Sequence, residues 1–575
     1  MTSPYDRIRP VGTPPRKVRD LALTFGLETV DVPSSPAEPV TVTSVASDNR
    51  VVADGDLFVA LPGAHAHGAR YAADAVARGA RAVLTDTEGA ALVAAVPLER
   101  DGAPVPVLVA ADPRAVLGPV AAWVYGSPGE HLMTFGVTGT NGKTTTTYQV
   151  DHVLRALGWK GGLVGTVEMR SGDRVLPSRL TTPEAADLQA LLAAMLEDGV
   201  RTLAMEVSSH ALALHRVDGV QYGVVGFTNL SQDHLDFHGD LQTYFETKAR
   251  LFTPEHARRG VVVVDDAWGE RMAQAAQVPV ATLRTRPAGD DGGAAAAADW
   301  TVSGVVPHGT GSAFTVTHVD GRTVRTTTSL PGDFNVANAA LALVMVLEGG
   351  AHLQDVQEAL DAAGGLSAVV PGRMEVVGAG DATSPRVVVD FAHNTEALEL
   401  ALAALRPTTA GRLVVVFGAT GDRDKGKRPA MGAAAVAGAD VVVVTDDDPH
   451  GEDPAPVRAA VLAGARAAQQ AARDAGREVV LHEVAPRAEA IRRAVADAAP
   501  GDTVLVAGRG HETIQDVAGV DLPLDDRVEA RAALAARQSA PPGAQDTPQV
   551  PTTDLTTDPT TDPTTHPQDE RTTTA

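Results

Sequence analysis

A chain of 575 residues with 44% hydrophobic content is long enough for three or four domains with separate cores. Its formal charge of −24 argues against a nucleic-acid partner, whose phosphates demand clustered Lys and Arg. The lack of any cysteine removes disulfides, thiolate catalysis and Cys-ligated zinc together. No apolar run approaches the ~18 residues of a membrane span. Arg7, Arg9, Arg16 and Lys17 lead into no apolar signal segment, so a cytoplasmic location is expected.

Residues 1–131 read as a first α/β domain. Val40 to Val45 alternates as a strand, and Leu57 to Leu61 is another short one. Tyr71 to Gly79 is a helix ended by glycine, leading into a strand over Ala82 to Leu84. Two polar loops, Ser47-Asp48-Asn49-Arg50 and Pro62-Gly63-Ala64-His65-Ala66-His67-Gly68, fall at strand ends. Alone, each reads as a turn.

The second domain, 132–366, opens on the stretch that organises the chain. Leu132 to Val137 is a buried strand, Gly139 to Gly142 a glycine-rich turn, and Lys143-Thr144-Thr145 opens a helix with Tyr148, Val150, Val153, Leu154 and Leu157 at helical spacing. This is a phosphate-binding loop: the first N–H groups of a helix lack internal partners, and the helix dipole there favours anions. Lys143 adds a point charge and the Thr144 hydroxyl a ligand for Mg²⁺. The usual G-x-x-x-x-G-K-[ST] pattern wants glycine at 137, where Val137 stands, with Gly136 and Gly139 either side. Leu203 to Val207 is a strand interrupted by Glu206, a carboxylate placed where nucleotide-bound magnesium is commonly held. Val224 to Thr228 runs into Asn229-Leu230-Ser231-Gln232-Asp233-His234-Leu235-Asp236-Phe237-His238. Two histidines four apart suggest zinc on a helix face, but H-E-x-x-H is incomplete and Asp233 and Asp236 suit a hard cation as well. Gly289 to Ala298 reads as a loose loop.

The third domain, 367–538, repeats one unit, a β-branched run and then a polar cluster. Val387 to Val389 leads to Asp390 and His393, and Leu413 to Phe417 to the Gly418–Arg428 cluster. Val441 to Val444 leads to Asp446-Asp447-Asp448-Pro449-His450, and Val504 to Val506 to Gly508-Arg509-Gly510-His511-Glu512. Ala-rich helices intervene, which predicts a doubly wound sheet collecting polar residues at the carboxyl ends of parallel strands. From about Ser539, covering 539–575, Pro, Thr and Asp dominate, and a disordered tail is expected.

Taken together these segments resemble the Mur ligases, ATP-dependent amide-forming enzymes of peptidoglycan synthesis, and within them the MurE branch. The resemblance is carried by Gly136 to Thr145, Thr181-Thr182-Pro183, Glu206 to His210, Asn229-Leu230-Ser231 with Asp233 to Asp236, Gly332 to Asn338, Pro371 to Glu375 and Gly421 to Pro429. It implies three α/β domains: a UDP-binding N-terminal domain, a central P-loop ATPase domain with a mainly parallel sheet, and a Rossmann-like C-terminal domain. It also implies addition of a third, diamino acid residue to UDP-N-acetylmuramoyl-L-alanyl-D-glutamate through an acyl phosphate, by a monomer with ATP as co-substrate and Mg²⁺ as cofactor.

Residue by residue, the resemblance implies ATP at Gly139, Thr140, Asn141, Gly142, Lys143, Thr144 and Thr145, with Asn335, Asn338, Arg373, Asp390 and His393 on the adenosine side. Magnesium falls to Thr144, Glu206 and His234, and to Lys248 as a carbamate (N6-carboxylysine); Lys143, Lys248, His234 and Glu206 form the catalytic set. The UDP-muramoyl dipeptide falls to Ser47, Asn49, Arg50, Ala64, His65, Ala66, Thr181, Thr182, Ser208 and Arg216. The amino acid falls to Arg423, Asp447, Asp448, Pro449, His450, Gly508 and Glu512. Diaminopimelate-adding members carry Asp-Asn-Pro-Arg where this chain has Asp447-Asp448-Pro449-His450. A neutral His is a poor substitute for a bidentate guanidinium, and three successive acids favour a distal ammonium. The expectation is therefore L-lysine or L-ornithine, with meso-diaminopimelate as the alternative. More distant alternatives are another Mur ligase, a folyl polyglutamate synthetase-like ligase, or an inactive nucleotide-binding protein.

Overall fold

Runs of Val, Leu and Ala bounded by Gly and Asp dictate the layout: short strands buried on both faces, separated by amphipathic helices. The computed structural model describes residues 8–30, 39–63, 65–96, 98–176, 180–286, 297–422 and 424–539. The readings placed on Arg7, Ala64, Arg423, most of the Gly289–Ala298 loop and the tail beyond Ser539 lie outside them.

The N-terminal sheet has five strands, β1 (Glu28–Val30), β2 (Ser44–Ala46), β3 (Asp56–Val59), β4 (Ala82–Thr85) and β5 (Val107–Val109), in the order β1-β5-β4-β3-β2. All pairs are parallel except β1 with β5. The single strand expected over Val40 to Val45 is two. Thr41–Val42 pairs with Arg16–Lys17, Ser44–Ala46 joins the main sheet, and between them the Thr43 N–H donates to Gly55 O at 2.9 Å. The change of partner at Thr43 is invisible in an alternating pattern.

The central sheet has a parallel run of seven strands: β6 (Met133–Thr138), β7 (Gly161–Val164), β8 (Thr202–Glu206), β9 (Val224–Phe227), β10 (Gly260–Val263), β11 (Val280–Arg284) and β12 (Trp300–His308). Their order is β7-β8-β6-β9-β10-β11-β12, with antiparallel strands extending both edges. Phe135 and Val137 of β6 pack on α1 (Lys143–Ala156), whose Val150, Val153 and Leu154 share their apolar cluster. The opposite face, through Leu203 and Met205 of β8, meets Leu188, Leu191 and Leu192 of α2 (Ala185–Glu197). Helix α3 (Asp333–Glu348) lies against α1.

The third sheet, β13 (Glu375–Ala379), β14 (Arg386–Asp390), β15 (Leu413–Phe417), β16 (Val441–Val444), β17 (Val480–Glu483) and β18 (Thr503–Ala507), runs β13-β14-β18-β15-β16-β17. Only the β13 pairing is antiparallel. The carboxyl ends of β14, β15, β16 and β18 thus share one edge, as the repeated pattern implies. Helices α4 (Thr395–Leu405), α5 (Arg487–Asp497) and α6 (Asp526–Ser539) flank it, and α6 takes in Ser539, which the composition had assigned to the tail. Among the described residues no helix is long and apolar enough to cross a membrane.

One buried ion pair ties that edge together. Arg487 donates to both carboxylate oxygens of Asp526 (2.8 and 2.7 Å), to Asp446 O (3.1 Å) and to Ala507 O (2.8 Å), and neither charged side chain is exposed. Burial alone would weaken the guanidinium's hold on its proton, but Asp526 outweighs it and raises the pKa. Asp526→Ala leaves a buried, unpaired cation, so the C-terminal unfolding transition in urea, followed by circular dichroism, should lose about 3–5 kcal/mol.

Candidate active site

Strand β6 ends at Thr138, and the chain turns into α1 through Gly139 to Gly142. Val137 is a fully buried strand residue, so the turn starts at Gly139, two residues later than in the common motif. Gly142 has φ +89°, and a Cβ there would lie 2.3 Å from Asn338 Oδ1. Only glycine satisfies both demands. The neighbouring strand holds the turn: Thr140 N–H donates to Asn229 O (3.0 Å), Asn141 N–H to Asn229 Oδ1 (3.0 Å), and Thr228 Oγ1 to Asn141 O (2.7 Å). Lys143 Nζ folds back onto Gly139 O (3.0 Å) and Thr140 O (2.9 Å). Burial lowers its pKa, against the pull of Glu206 and Asp233.

Glu206 closes β8 beside the turn and is 1% exposed. Its carboxylate accepts from Thr144 Oγ1 (3.0 Å), Thr166 N–H (2.7 Å) and Thr166 Oγ1 (3.0 Å). Thr166 also meets Thr181 Oγ1 at 3.0 Å, and its backbone is hydrogen-bonded by His511 of the C-terminal unit. Sequence reasoning missed Thr166. Its only signal was position, directly after β7 on the edge that carries the phosphate loop. Thr182 Oγ1 donates to Glu206 O at 2.9 Å, and Ser208, whose N–H points at Thr182 Oγ1 (3.3 Å), caps the next short helix.

The two-histidine pattern dissolves. His234 is a left-handed capping residue (φ +53°) rather than a helix-face residue, and buried His238 bonds Ser209 Oγ through Nε2 at 2.9 Å. Burial takes His234 down to about 4, despite the nearby Asp233 carboxylate, so its imidazole is neutral. Burial would raise Asp233, but His393, His234, Lys427 and Lys143 bring it to about 2. Lys248 is 1% exposed, donates to Gly139 O at 2.8 Å and stands 4.4 Å over the Tyr244 ring. Burial, then the charge of Lys143, drives its pKa well down, favouring the uncharged amine. Among the described residues no three His, Asp or Glu side chains are poised around a metal position. Thr144 and Glu206 nonetheless put two hard oxygen donors side by side, which fits magnesium, an ion held through one or two carboxylates plus substrate phosphates.

Most of these groups, though not Gly139, His238 or Lys248, line a cleft of about 530 Å³ between the central and C-terminal units. It gathers Thr140 to Thr145, Glu206, His234, Thr181, Thr182, Ser208, Arg216, Asn335, Asn338, Arg373, Asp390 and His393. Asn335 Nδ2 donates to Pro331 O (2.7 Å), and its Oδ1 accepts from Asn338 Nδ2 (3.4 Å). Arg373 reaches Thr144 Oγ1 at 3.4 Å and stacks 4.1 Å over Phe391. Burial lowers its pKa, while Asp390, itself pushed up by burial, opposes that shift. Asp390 holds the chain by accepting from Met374 N–H (2.7 Å) and Ala392 N–H (2.9 Å). His393 bonds Phe391 O through Nδ1 (2.8 Å), and Lys427, part of the Gly418–Arg428 cluster but not among the expected site residues, donates to His393 O (3.0 Å).

Two groups of expected residues lie outside this cleft. Asp447, Asp448, Pro449, His450, Gly508 and Glu512 meet at the ends of β16 and β18. Asp446 pairs with Arg458 and Asp448 with Arg509, but the same arginines also meet Glu483 (2.9 Å) and Glu512 (3.6 Å), so the acids here still outnumber their partners. Only Asp447 keeps a buried oxygen, Oδ2, without a partner among the described residues, and a Cβ on Gly508 would approach it to 2.4 Å. Glu512 is pushed up to about 8 by burial and by Asp447. His450 (φ +49°) bonds Asp516 through Nδ1 at 2.9 Å. Ser47, Asn49, Arg50, His65 and Ala66 belong to the N-terminal unit, where Asn49 Nδ2 donates to Asp74 (2.8 Å) and Arg50 pairs with Asp48. The start of α2 bridges that loop to the cleft: Glu184 pairs with Arg216 (2.9 Å) and Arg114 (3.6 Å). One turn on, Asp187 is pushed up to about 7 by burial, Glu184 and Asp48.

Comparison with known proteins places this geometry. Residues 41–125 match the Mur ligase family catalytic domain, 137–346 the Mur ligase middle domain, and 372–510 the Mur ligase glutamate ligase domain. The chain is 46% identical over 535 residues to a UDP-N-acetylmuramyl-tripeptide synthetase of Leifsonia xyli subsp. xyli, covering 93% of this chain and 99% of that one. It is equally similar, 46% over 528 residues, to a UDP-N-acetylmuramoyl-L-alanyl-D-glutamate–2,6-diaminopimelate ligase of Streptomyces coelicolor, covering 91% and 98%. A solved structure of a ligase with that second name superposes with a TM-score of 0.60 at 30% identity, over 92% of this chain and all of the other. MurF from Acinetobacter baumannii shares the fold, with a TM-score of 0.59 at 18% identity over 87% and 96%. The chain therefore belongs to the Mur ligase family, in its MurE branch, and is an ATP-dependent ligase.

Proposed function

We propose that the protein adds 2,6-diaminopimelate to UDP-N-acetylmuramoyl-L-alanyl-D-glutamate, in the cytoplasm, at the expense of ATP. The observation that carries this reading is the single cleft joining the phosphate loop, Glu206 and Thr181–Thr182 to Arg373 and Asp390 across the unit boundary. In this reading residues 1–131 bind the UDP moiety, 132–366 the triphosphate and 367–538 the amino acid. Diaminopimelate replaces the expected lysine or ornithine for two reasons. Two of the three acids that favoured a distal ammonium, Asp446 and Asp448, are engaged by Arg458 and Arg509 rather than free to face a ligand. The Streptomyces coelicolor relative, equal in identity to any reported above, carries diaminopimelate in its name. The unpartnered Asp447 Oδ2 suits the α-ammonium that all three amino acids share.

The chemistry follows from positioning and charge. The turn N–H groups and Lys143 take the β- and γ-phosphates, so Lys143 exchanges its two backbone carbonyls for phosphate oxygens. Thr144 and Glu206 would hold magnesium, and His234 with a carbamate on Lys248 a second ion; the metal would supply charge neutralisation for phosphoryl transfer. A buried uncharged amine is the form of Lys248 that adds CO₂. The side-chain carboxylate of D-glutamate, steered by Arg216 and Thr182, attacks the γ-phosphorus, releasing ADP and leaving an acyl phosphate. The amine of the third residue then attacks the acyl carbon, phosphate departs, and the amide forms. Glu512, near 8, is matched to taking the proton that the ammonium must lose.

Lys143→Ala should lower ATP-dependent phosphate release by about 10³-fold or more, the scale of losing a charge on a transferring phosphoryl group. Lys248→Ala should fall nearly as far and recover in part with formate or acetate; unaided wild-type turnover would remove the carbamate. Thr166→Val keeps the shape but removes one of the three donors to the Glu206 carboxylate, the Thr166 hydroxyl, and kcat should drop about tenfold with ATP affinity little changed. Phosphate release with lysine, ornithine and meso-diaminopimelate, each at equal concentration, should be fastest with the last. A preference for lysine or ornithine would restore the charge argument.

A further inference from the structure

Asn141 belongs to two units at once. Its main chain is fixed by the central unit through Asn229 Oδ1 and Thr228 Oγ1. Its side chain turns to the C-terminal unit, where Nδ2 donates to Glu396 Oε2 at 2.9 Å and Oδ1 accepts from Asn394 Nδ2 at 3.4 Å. The orientation is chemically determined, because a flipped amide would set oxygen against carboxylate and NH₂ against NH₂. Asn394 is 3% exposed and is used at both ends, since its Oδ1 caps α4 by accepting the Ala397 N–H at 2.9 Å. Two further side-chain contacts across this boundary are longer, 3.4 Å for Arg373 to Thr144 and 3.9 Å for His393 to Asp233, and His511 adds a hydrogen bond to the Thr166 backbone. The contact to Glu396 is short and charge-assisted, the stronger class of hydrogen bond. A neutral amide also separates the Glu396 carboxylate from the phosphate site, where an anion would otherwise repel the nucleotide.

We propose that Glu396 and Asn394 are positioning residues that clasp the Asn141 side chain and so hold the C-terminal unit, with Asp447, Gly508 and Glu512, against the phosphate loop. Neither touches the reacting atoms. Losing the clasp leaves the loop's own backbone contacts intact and lets the amino-acid site drift from the acyl phosphate. The amino-acid consequence rests on the function proposed above; the unit-to-unit geometry does not.

The chain contains no cysteine, so Asp355→Cys and Ala467→Cys, both at exposed positions, allow one spin label on each unit of the full-length protein. Without nucleotide, the inter-label distance distribution should be narrow, and should broaden and lengthen in Glu396→Ala and Asn394→Asp. Asn394→Asp keeps a cap for α4 but cannot donate to Asn141. Glu396→Gln retains an acceptor and should stay narrow. In turnover, Glu396→Ala should raise the KM for diaminopimelate about tenfold, the loss expected of one hydrogen bond to a charged group, with kcat within about twofold. A narrow distribution in Glu396→Ala overturns the clasp. So does a Glu396→Gln as impaired as Glu396→Ala with a matching fall in Tm, because that pattern assigns Glu396 to the stability of the first turn of α4. If no amino acid supports turnover in the unmutated enzyme, the proposed function fails while the label distances still judge the clasp.

Discussion

Two lysines share one carbonyl. Lys143 and Lys248 both donate to Gly139 O, Lys248 is buried and Lys143 half-buried, and among the described residues neither has an ion-pair partner. A chain of net charge −24 has withheld its carboxylates from the point where two amines converge with the free N–H groups of a helix start. Desolvation penalises the charged form of both amines, which is why burial lowers the pKa of each. Glu206, the nearest acid in the electrostatics of Lys143, is occupied by three donors from Thr144 and Thr166. In the proposed mechanism that division of labour lets the triphosphate meet the lysine while the carboxylate turns to a cation.

The same constraint explains which parts of the fold were legible. β15 and β16 match the expected Leu413 to Phe417 and Val441 to Val444 to the residue, because parallel strands buried on both faces are uninterrupted apolar runs. The phosphate loop was legible because its chemistry needs glycine, lysine and threonine in a fixed order. The strand over Val40 to Val45 was misread as one piece, since a partner switch at Thr43 changes no residue type. The paired histidines at 234 and 238 were misleading for a related reason. Spacing of four means one face only inside a helix, and His234 stands outside it with φ +53°.

What sequence could not carry was pairing. Thr166 and Glu396 belong to no motif, Lys427 sits in one without a role assigned to it, and each matters through a partner tens to hundreds of residues away: Glu206, Asn141 and the His393 carbonyl. Asp446 to Asp448 is the sharper case. Counted along the chain, three adjacent acids make an electronegative patch. In the fold, Arg458 reaches one from the following helix and Arg509 another from the end of β18. Charge in a binding pocket is a property of what remains unpaired after folding, so composition of a tetrapeptide is weak evidence for the ligand's far end.

That argument bears on the third residue of the peptide. An arginine at position 450 would recognise a distal carboxylate by two parallel hydrogen bonds. His450 offers less, and one of its ring nitrogens is already engaged by Asp516. Any carboxylate recognition at that end must therefore be shared between the remaining ring nitrogen and neighbouring donors. The hairpin of Ile514–Val517 and Val520–Pro523 supplies a rigid wall for it: His450 N–H donates to Asp516 O (3.1 Å), Ala518 N–H to His450 O (2.7 Å), and Gln515 Nε2 to Asp447 O (2.5 Å). Bracing of the His450 loop by that hairpin therefore belongs beside the identity of residue 450 in any account of this pocket.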